Sequence, residues 1–199
     1  MLFTCQRSGK CCTHPQIVVT LTHKDLWELF QESQGIEELK QLIQFMVIKK
    51  NEDAERLVLR NIKTIDGHGS FILRKTPSNK CIFYNEQELS CNIHTIRPQA
   101  CRNFPFAFNK DKNQLSISLV KNASSFCMGI GKGKEYTKEE LQNIGNYTLR
   151  TIEEFNSIVD EINTESDNNK PLTPHDALMT LLLVAEKNKA TIEEELQIL

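Results

Sequence analysis

Several things are missing from this sequence, and each absence removes a class of protein. No run approaches the roughly 18 apolar residues of a membrane helix; the longest apolar stretch, Leu178 to Ala185, is broken by Thr180. The opening Met1-Leu2-Phe3-Thr4-Cys5-Gln6-Arg7-Ser8 lacks the apolar core of a secretory signal, so a cytoplasmic protein is expected. Neither charge dominates. Against 26 Asp and Glu stand 24 Lys and Arg, a net −2, which argues against a chain that coats nucleic acid. Gly129-x-Gly131-x-Gly133 has no Lys-Ser/Thr for a P-loop, and its third glycine comes too early for GxGxxG. It reads as a flexible loop beside Cys127. The strand–helix alternation of a doubly wound sheet is absent, and with it an obvious nucleotide or methyl-donor fold. No internal repeat is found.

Cysteine is plentiful, with seven residues at Cys5, Cys11, Cys12, Cys81, Cys91, Cys101 and Cys127. An odd count in a reducing compartment does not suit a disulfide framework. CxxC is missing too, which disfavours a thiol–disulfide enzyme. The thiols sit among polar, turn-forming neighbours rather than in apolar runs, so they read as metal ligands more than as core packing. Cys5-Gln6-Arg7-Ser8-Gly9-Lys10-Cys11-Cys12 is a glycine-containing loop able to wrap a metal. Adjacent side chains point in different directions, so Cys11 and Cys12 are expected to serve two roles.

A second run, Cys81-x9-Cys91-x9-Cys101, falls on recognisable structure. Lys80 to Tyr84 and Leu89 to Ile93 read as strands of a hairpin around an Asn85-to-Glu88 turn. Pro98 suits the first turn of a short helix to Phe104 carrying Cys101. Hairpin and helix can thus present three thiolates to one point, and the N-terminal loop a fourth. Four is the number that tetrahedral zinc or a cubane iron–sulfur cluster needs. Four thiolates leave a net −2 on either centre. Arg97 and Arg102, flanking Cys101, are the candidate cofactor-binding cations, with Lys80 beside Cys81.

With 39% hydrophobic and 25% charged residues in 199, the chain is globular and long enough to bury a core. Thr22 and Asp25 have capping-box spacing at the head of a helix through Gln31. Ile36 to Lys49 reads as a second helix, with Leu39, Leu42, Ile43 and Met46 on one face. Leu57 to Leu59, Ile62 to Ile65, Phe71 to Leu73 and Gln114 to Val120 read as strands, with Asp66 to Gly69 as a turn. A long amphipathic helix is expected from Thr137 to about Asn163, then a polar break to Lys170. Another helix starts at Thr173-Pro174, and a short one at Thr191. The expected fold class is therefore α+β: a small antiparallel sheet with a cysteine-bearing hairpin and loops, flanked by helices. Residues 1–133 would form the metal-binding domain and 134–199 a helical segment packed on it.

Cys5…Gly9-Lys10-Cys11-Cys12, Cys81-Ile82-Phe83, Cys91-Asn92-Ile93-His94, Arg97-Pro98, Cys101-Arg102, Phe104-Pro105 and Cys127-x-Gly129-x-Gly131 together resemble the CxxCxxCC or YkgJ-type cysteine-cluster family of zinc- or iron-chelating domains. The resemblance spans about residues 3 to 133. The flagellin lysine N-methylase is similar in its cysteine pattern, which implies an iron–sulfur cluster used in methyl transfer. Ser8 stands where the family has its second cysteine, and a serine alkoxide is a rare ligand. His14 or His94 could fill a ligand place. The resemblance implies iron, as [4Fe–4S], ahead of zinc, and redox or cluster-assisted modification of a protein side chain. The rival expectation is a non-catalytic zinc-stapled interaction module whose C-terminal helices dock a partner. Either way a protein substrate or partner is expected, and no membrane.

Overall fold

The computed structural model describes residues 1–48, 59–111, 114–168, 171–190 and 192. The described chain begins with β1 (Leu2–Phe3), α1 (His23–Glu32), α2 (Ile36–Leu42), β2 (Ile43–Val47), β3 (Ile62–Thr64) and β4 (Gly67–Leu73). It continues with β5 (Tyr84–Asn85), β6 (Ser90–Cys91), α3 (Gln99–Asn103), β7 (Phe106–Asp111) and β8 (Gln114–Leu119). The last elements are β9 (Ile130–Glu135), α4 (Lys138–Asn168) and α5 (Pro174–Lys187). All strand pairs are antiparallel: β2-β4-β3, β7-β8, β5-β6 and β1-β9. The fold is α+β. None of the described helices is long and apolar enough to cross a membrane.

Two compact units divide the chain, each discontinuous in sequence: Met1–Val19 with Arg74–Arg150, and Thr20–Leu73 with Thr151–Leu199. In the second, α1 is opened by a buried capping box. Thr22 Oγ1 accepts the Asp25 N–H, and the Asp25 carboxylate accepts the Thr22 N–H at 2.8 Å. The carboxylate also complements the positive end of the helix. Leu21, Leu26 and Leu29 fill the core beside Phe155, Val159 and Ile162 of α4 and Ala177, Leu178, Leu181 and Ala185 of α5. Buried Lys24 is paired with Glu154 at 2.8 Å, which offsets its desolvation.

The second capping box, at the head of α5, is exposed and so isolates the value of a cap. Thr173 Oγ1 accepts the Asp176 N–H at 3.1 Å, and Asp176 accepts back from the Thr173 N–H at 3.1 Å. Thr173→Ala is expected to destabilise this unit by about 1 kcal/mol, and Thr173→Asn by much less. Urea unfolding midpoints of the two variants check this.

The first unit is built on Phe3, Phe106, Phe108 and Leu141, with Leu115, Ile117, Cys127, Ile130, Tyr136 and Ile144 packed around them. Phe3 meets Phe106 edge-to-face at 5.6 Å, and Tyr136 does the same at 5.7 Å. Gly145 allows α4 to lie close on the β7-β8 hairpin. A Cβ there would come within 2.7 Å of the Phe108 ring.

Local departures from expectation have identifiable causes. The helix expected over Ile36 to Lys49 stops at Leu42, and Ile43–Val47 pairs instead with Gly69–Leu73. Phe45 and Phe71, opposite each other, bring their rings to 5.2 Å. A cross-strand aromatic pair outweighs a modest helical preference. Gly129 to Gly133 is not simply a loop, because Ile130–Glu135 forms β9 against β1. β7, unforeseen, pairs with β8 along six residues. The helix expected to end near Asn163 runs on to Asn168, with Lys63 paired to Asp167. The strand expected at Leu57 to Leu59 and the helix expected from Thr191 fall largely outside the described residues.

Candidate metal centre

The first cysteine loop turns sharply because two residues take left-handed backbone, Arg7 at φ 52° and Gly9 at φ 65°. Gly9 O then accepts both the Thr13 N–H, at 3.0 Å, and the Thr13 hydroxyl, at 3.2 Å. The resulting turn carries Cys11 and Cys12 on its arc. Beneath it lies Tyr84 of β5: a Cβ on Gly9 would fall 2.2 Å from Tyr84 Cε2. The loop is tied to the hairpin by the Cys81 N–H, which donates to Cys12 O at 2.8 Å.

The hairpin is short because its turn is strongly organised. Asn85 Oδ1 accepts from the Gln87 N–H at 3.0 Å and the Glu88 N–H at 3.1 Å, and Leu89 takes φ 51°. Only Tyr84–Asn85 and Ser90–Cys91 pair as strands, and Tyr84 lies opposite Cys91. Residues nearer Cys81 form turns, with the Tyr84 N–H on Cys81 O at 3.0 Å. Cys81 and Cys91 therefore flank the ring on which the Gly9 turn rests.

Four thiols meet here. Cys11 and Cys12 Sγ stand 4.0 Å apart, correcting the expectation that adjacent cysteines diverge. The tight turn closed on Gly9 overrides that tendency. The Cys12 thiol also acts on Cys91. That influence draws the Cys91 thiol down to about 6, opposed by burial and assisted by the Ile93 N–H and the Arg97 charge. Cys11 is drawn down to about 7, first by its hydrogen bond with Cys12. Cys12, which keeps its proton between these two neighbours, is pushed far up. Cys81 is raised by burial, against the Phe83 N–H and Lys75.

This arrangement asks for a cation. A thiol has one proton, so Cys12 cannot satisfy both Cys11 and Cys91 at once. Cys11 and Cys91, both drawn below the ordinary thiol value, compete for that proton. Among the described residues, no group of three or more His, Cys, Asp or Glu side chains is placed so that it could hold a metal ion as the side chains stand. The sulfurs of Cys11 and Cys12 approach each other, while Cys81 acts on Cys12 through its charge and Cys11 acts likewise on Cys81. None of the seven cysteines, all among the described residues, is in a disulfide. The donor set is soft and all sulfur, which suits zinc or iron–sulfur and not magnesium or calcium.

The remaining candidates lie as follows. Cys101 is half-buried on α3, where its N–H donates to Pro98 O at 2.8 Å. Cys127 packs on the Phe3–Phe106–Phe108–Leu141 cluster, and Cys5 is exposed just after β1. Arg97 donates to His94 O at 2.6 Å and lies against the His94 ring. Its charge, with that of Arg7, adds to burial in lowering the His94 pKa. Arg102 Nε donates to Arg97 O at 2.6 Å, bracing the residue whose charge acts on Cys91. His14 stacks on Phe126 at 4.4 Å, and its Nδ1 accepts the Gln16 N–H at 3.3 Å.

Sequence reasoning missed two positioning residues. Tyr84 forms the seat for the Gly9 turn; an aromatic between two cysteines was the only cue. Lys75 bonds to His14 O at 3.2 Å and Pro15 O at 3.0 Å while its charge reaches Cys81. Nothing in its surroundings in sequence marks it.

An α+β scaffold that gathers free thiols between a tight loop and a hairpin defines a cysteine-based metal-chelating domain. The family model CxxCxxCC, described as "Putative zinc- or iron-chelating domain", matches residues 4–128, and the chain belongs to that family. The matched segment contains all seven cysteines. An uncharacterized protein of Methanocaldococcus jannaschii is similar, with 23% identity over 159 residues, 80% of this chain and 74% of that protein. No solved structure matches the chain.

Proposed function

We propose that the protein holds one metal ion through Cys11, Cys12, Cys81 and Cys91, and that the ion is zinc in a closed, structural site. The observation that carries this reading is the 4.0 Å approach of the Cys11 and Cys12 sulfurs. Zinc–sulfur bonds of about 2.3 Å place two sulfurs of one tetrahedral ion about 3.8 Å apart. Two thiols already near that spacing suit a single ion better than separate corners of a cluster. Zinc bound there would close the N-terminal loop on the hairpin and contribute to folding. The chain then serves as a zinc-stapled module for a protein partner, in a reducing compartment such as the cytoplasm.

An iron–sulfur centre is the second reading, favoured by Arg97. Its charge acts on Cys91, as suits a centre whose thiolates leave net negative charge. That reading assigns redox chemistry or modification of a protein side chain.

Anaerobic purification followed by zinc, iron and acid-labile sulfide analysis separates the two. About one zinc per chain and no colour is the expected result. About four iron and four sulfide, with broad absorbance near 400 nm, would replace zinc with a cluster. A metal-free, folded chain would overturn both.

A further inference from the structure

The turn that carries Cys11 and Cys12 holds the two thiols for reaction with each other as well as for a metal. Thr13 closes it on Gly9 O, through its N–H at 3.0 Å and its hydroxyl at 3.2 Å. The hydroxyl also lies 3.4 Å from Lys10 O, so both cysteines sit inside a loop pinned at its two ends. Their sulfurs stand 4.0 Å apart, and about 2 Å of approach brings them to the S–S bond length of about 2.05 Å. Both residues are half-buried, within reach of a small oxidant from solution.

Adjacent residues make an unusual bridge. The Cys11–Cys12 peptide is trans, which sets the Cα atoms about 3.8 Å apart, under the roughly 4.4–6.8 Å of ordinary disulfides. Such a bond carries strain and is readily reduced, which is the property of labile, regulatory disulfides rather than of permanent staples. Closing it also costs the metal site two ligands. Sulfurs joined to each other no longer serve as thiolates, and Cys81 with Cys91 is only half of a tetrahedral set.

We propose that Cys11 and Cys12 form a peroxide-responsive pair, closing into a reversible disulfide that expels the metal. One thiolate attacks a hydroperoxide, the O–O bond breaks, and a sulfenic acid forms as water or an alcohol leaves. The neighbouring thiolate then attacks that sulfur; the S–S bond forms, the S–O bond breaks, and the hydroxide leaves as water. Two sulfurs lose two electrons, the peroxide gains them, and two protons from solvent complete the leaving groups. The expulsion of metal rests on the zinc reading above, whereas the bridge itself does not.

The test treats the zinc-loaded, full-length chain with a few equivalents of hydrogen peroxide, then alkylates and digests it with trypsin. Both cysteines fall in one tryptic peptide, Cys11–Lys24, so the bridge appears as that peptide unalkylated and two hydrogens lighter. A chromogenic chelator should register one zinc released per bridge formed, and millimolar reduced glutathione should reverse both changes. Cys127→Ala should behave as the wild type, since Cys127 packs on the phenylalanine cluster. Bridging at an equal rate in chain unfolded by guanidinium chloride would overturn the proposal, because the turn would then contribute nothing. So would peptides cross-linked from Cys11 or Cys12 to Cys81 or Cys91, or sulfinic acid without a bridge. The same treatment of chain stripped with EDTA separates the two readings. A bridge there, in a chain purified without zinc, upholds the pair and refutes the zinc site; zinc on purification with no bridge after stripping does the reverse.

Discussion

Cys12→Ser is expected to remove the metal almost entirely and to loosen the join between the N-terminal loop and the hairpin. Cys12 occupies the middle of the thiol cluster, 4.0 Å from the Cys11 sulfur and acting on Cys91. A serine hydroxyl is shorter and far less acidic than a thiol, so it makes neither a comparable bridge nor a thiolate ligand. Structural zinc contributes roughly 10–16 kcal/mol in zinc-finger peptides at neutral pH, where binding and folding are one event. This chain has apolar cores of its own, so it should stay folded at a lower urea midpoint. Metal per chain should fall below about a tenth of the wild-type value. The backbone bond from the Cys81 N–H to Cys12 O survives the substitution. Cys127→Ala supplies the contrast, since Cys127 packs on the phenylalanine cluster. It should retain metal and lose only packing. Plasma mass spectrometry on both dialysed variants decides the matter: full metal in Cys12→Ser, or none in Cys127→Ala, would mean that a different set of thiols binds.

Much of the scaffold could be read from residue pattern because its cues are local. Thr22 with Asp25 and Thr173-Pro174 with Asp176 mark helix starts through bonds three residues apart, and the structure forms those bonds. The cysteine hairpin was legible for the same reason, its Asn85 turn being set within four residues. What escaped depends on partners distant in sequence. Ile43–Val47 carries a periodicity compatible with either helix or strand, and only β4, more than twenty residues later, decides it. Gly131 and Gly133 look like a loop signal in isolation. They lie, with left-handed backbone, in the irregular stretch between Ile130 and Glu135, which pair with Phe3 and Leu2 of β1 about 130 residues earlier, and Thr4 fills the space a side chain would need at Gly133. The facing of Cys11 and Cys12 was misjudged on the rule for neighbouring side chains. That rule assumes regular backbone, and the left-handed Arg7 and Gly9 remove the assumption.

Gly9→Ala should disturb the metal site as a steric and backbone lesion, with every thiol left in place. Two costs combine. At φ 65° an alanine carries the left-handed penalty of about 1–2 kcal/mol. Its methyl would also overlap Tyr84 Cε2 at 2.2 Å, and overpacking of this kind costs about 1–3 kcal/mol. The expected destabilisation is therefore roughly 2–5 kcal/mol, together with weaker metal binding as the turn lifts off the ring. Gly131→Ala separates the two costs. Gly131 has φ 79° but nothing within 4 Å of its Cβ position, so strain alone should appear there. A double-mutant cycle with Tyr84→Ala isolates the contact. In the Tyr84→Ala background, Gly9→Ala should cost only about the 1–2 kcal/mol of backbone strain. If it costs as much there as in the wild type, the tyrosine is not the seat of the turn. The closeness of Cys11 to Cys12 would then have to arise from the loop's own hydrogen bonds.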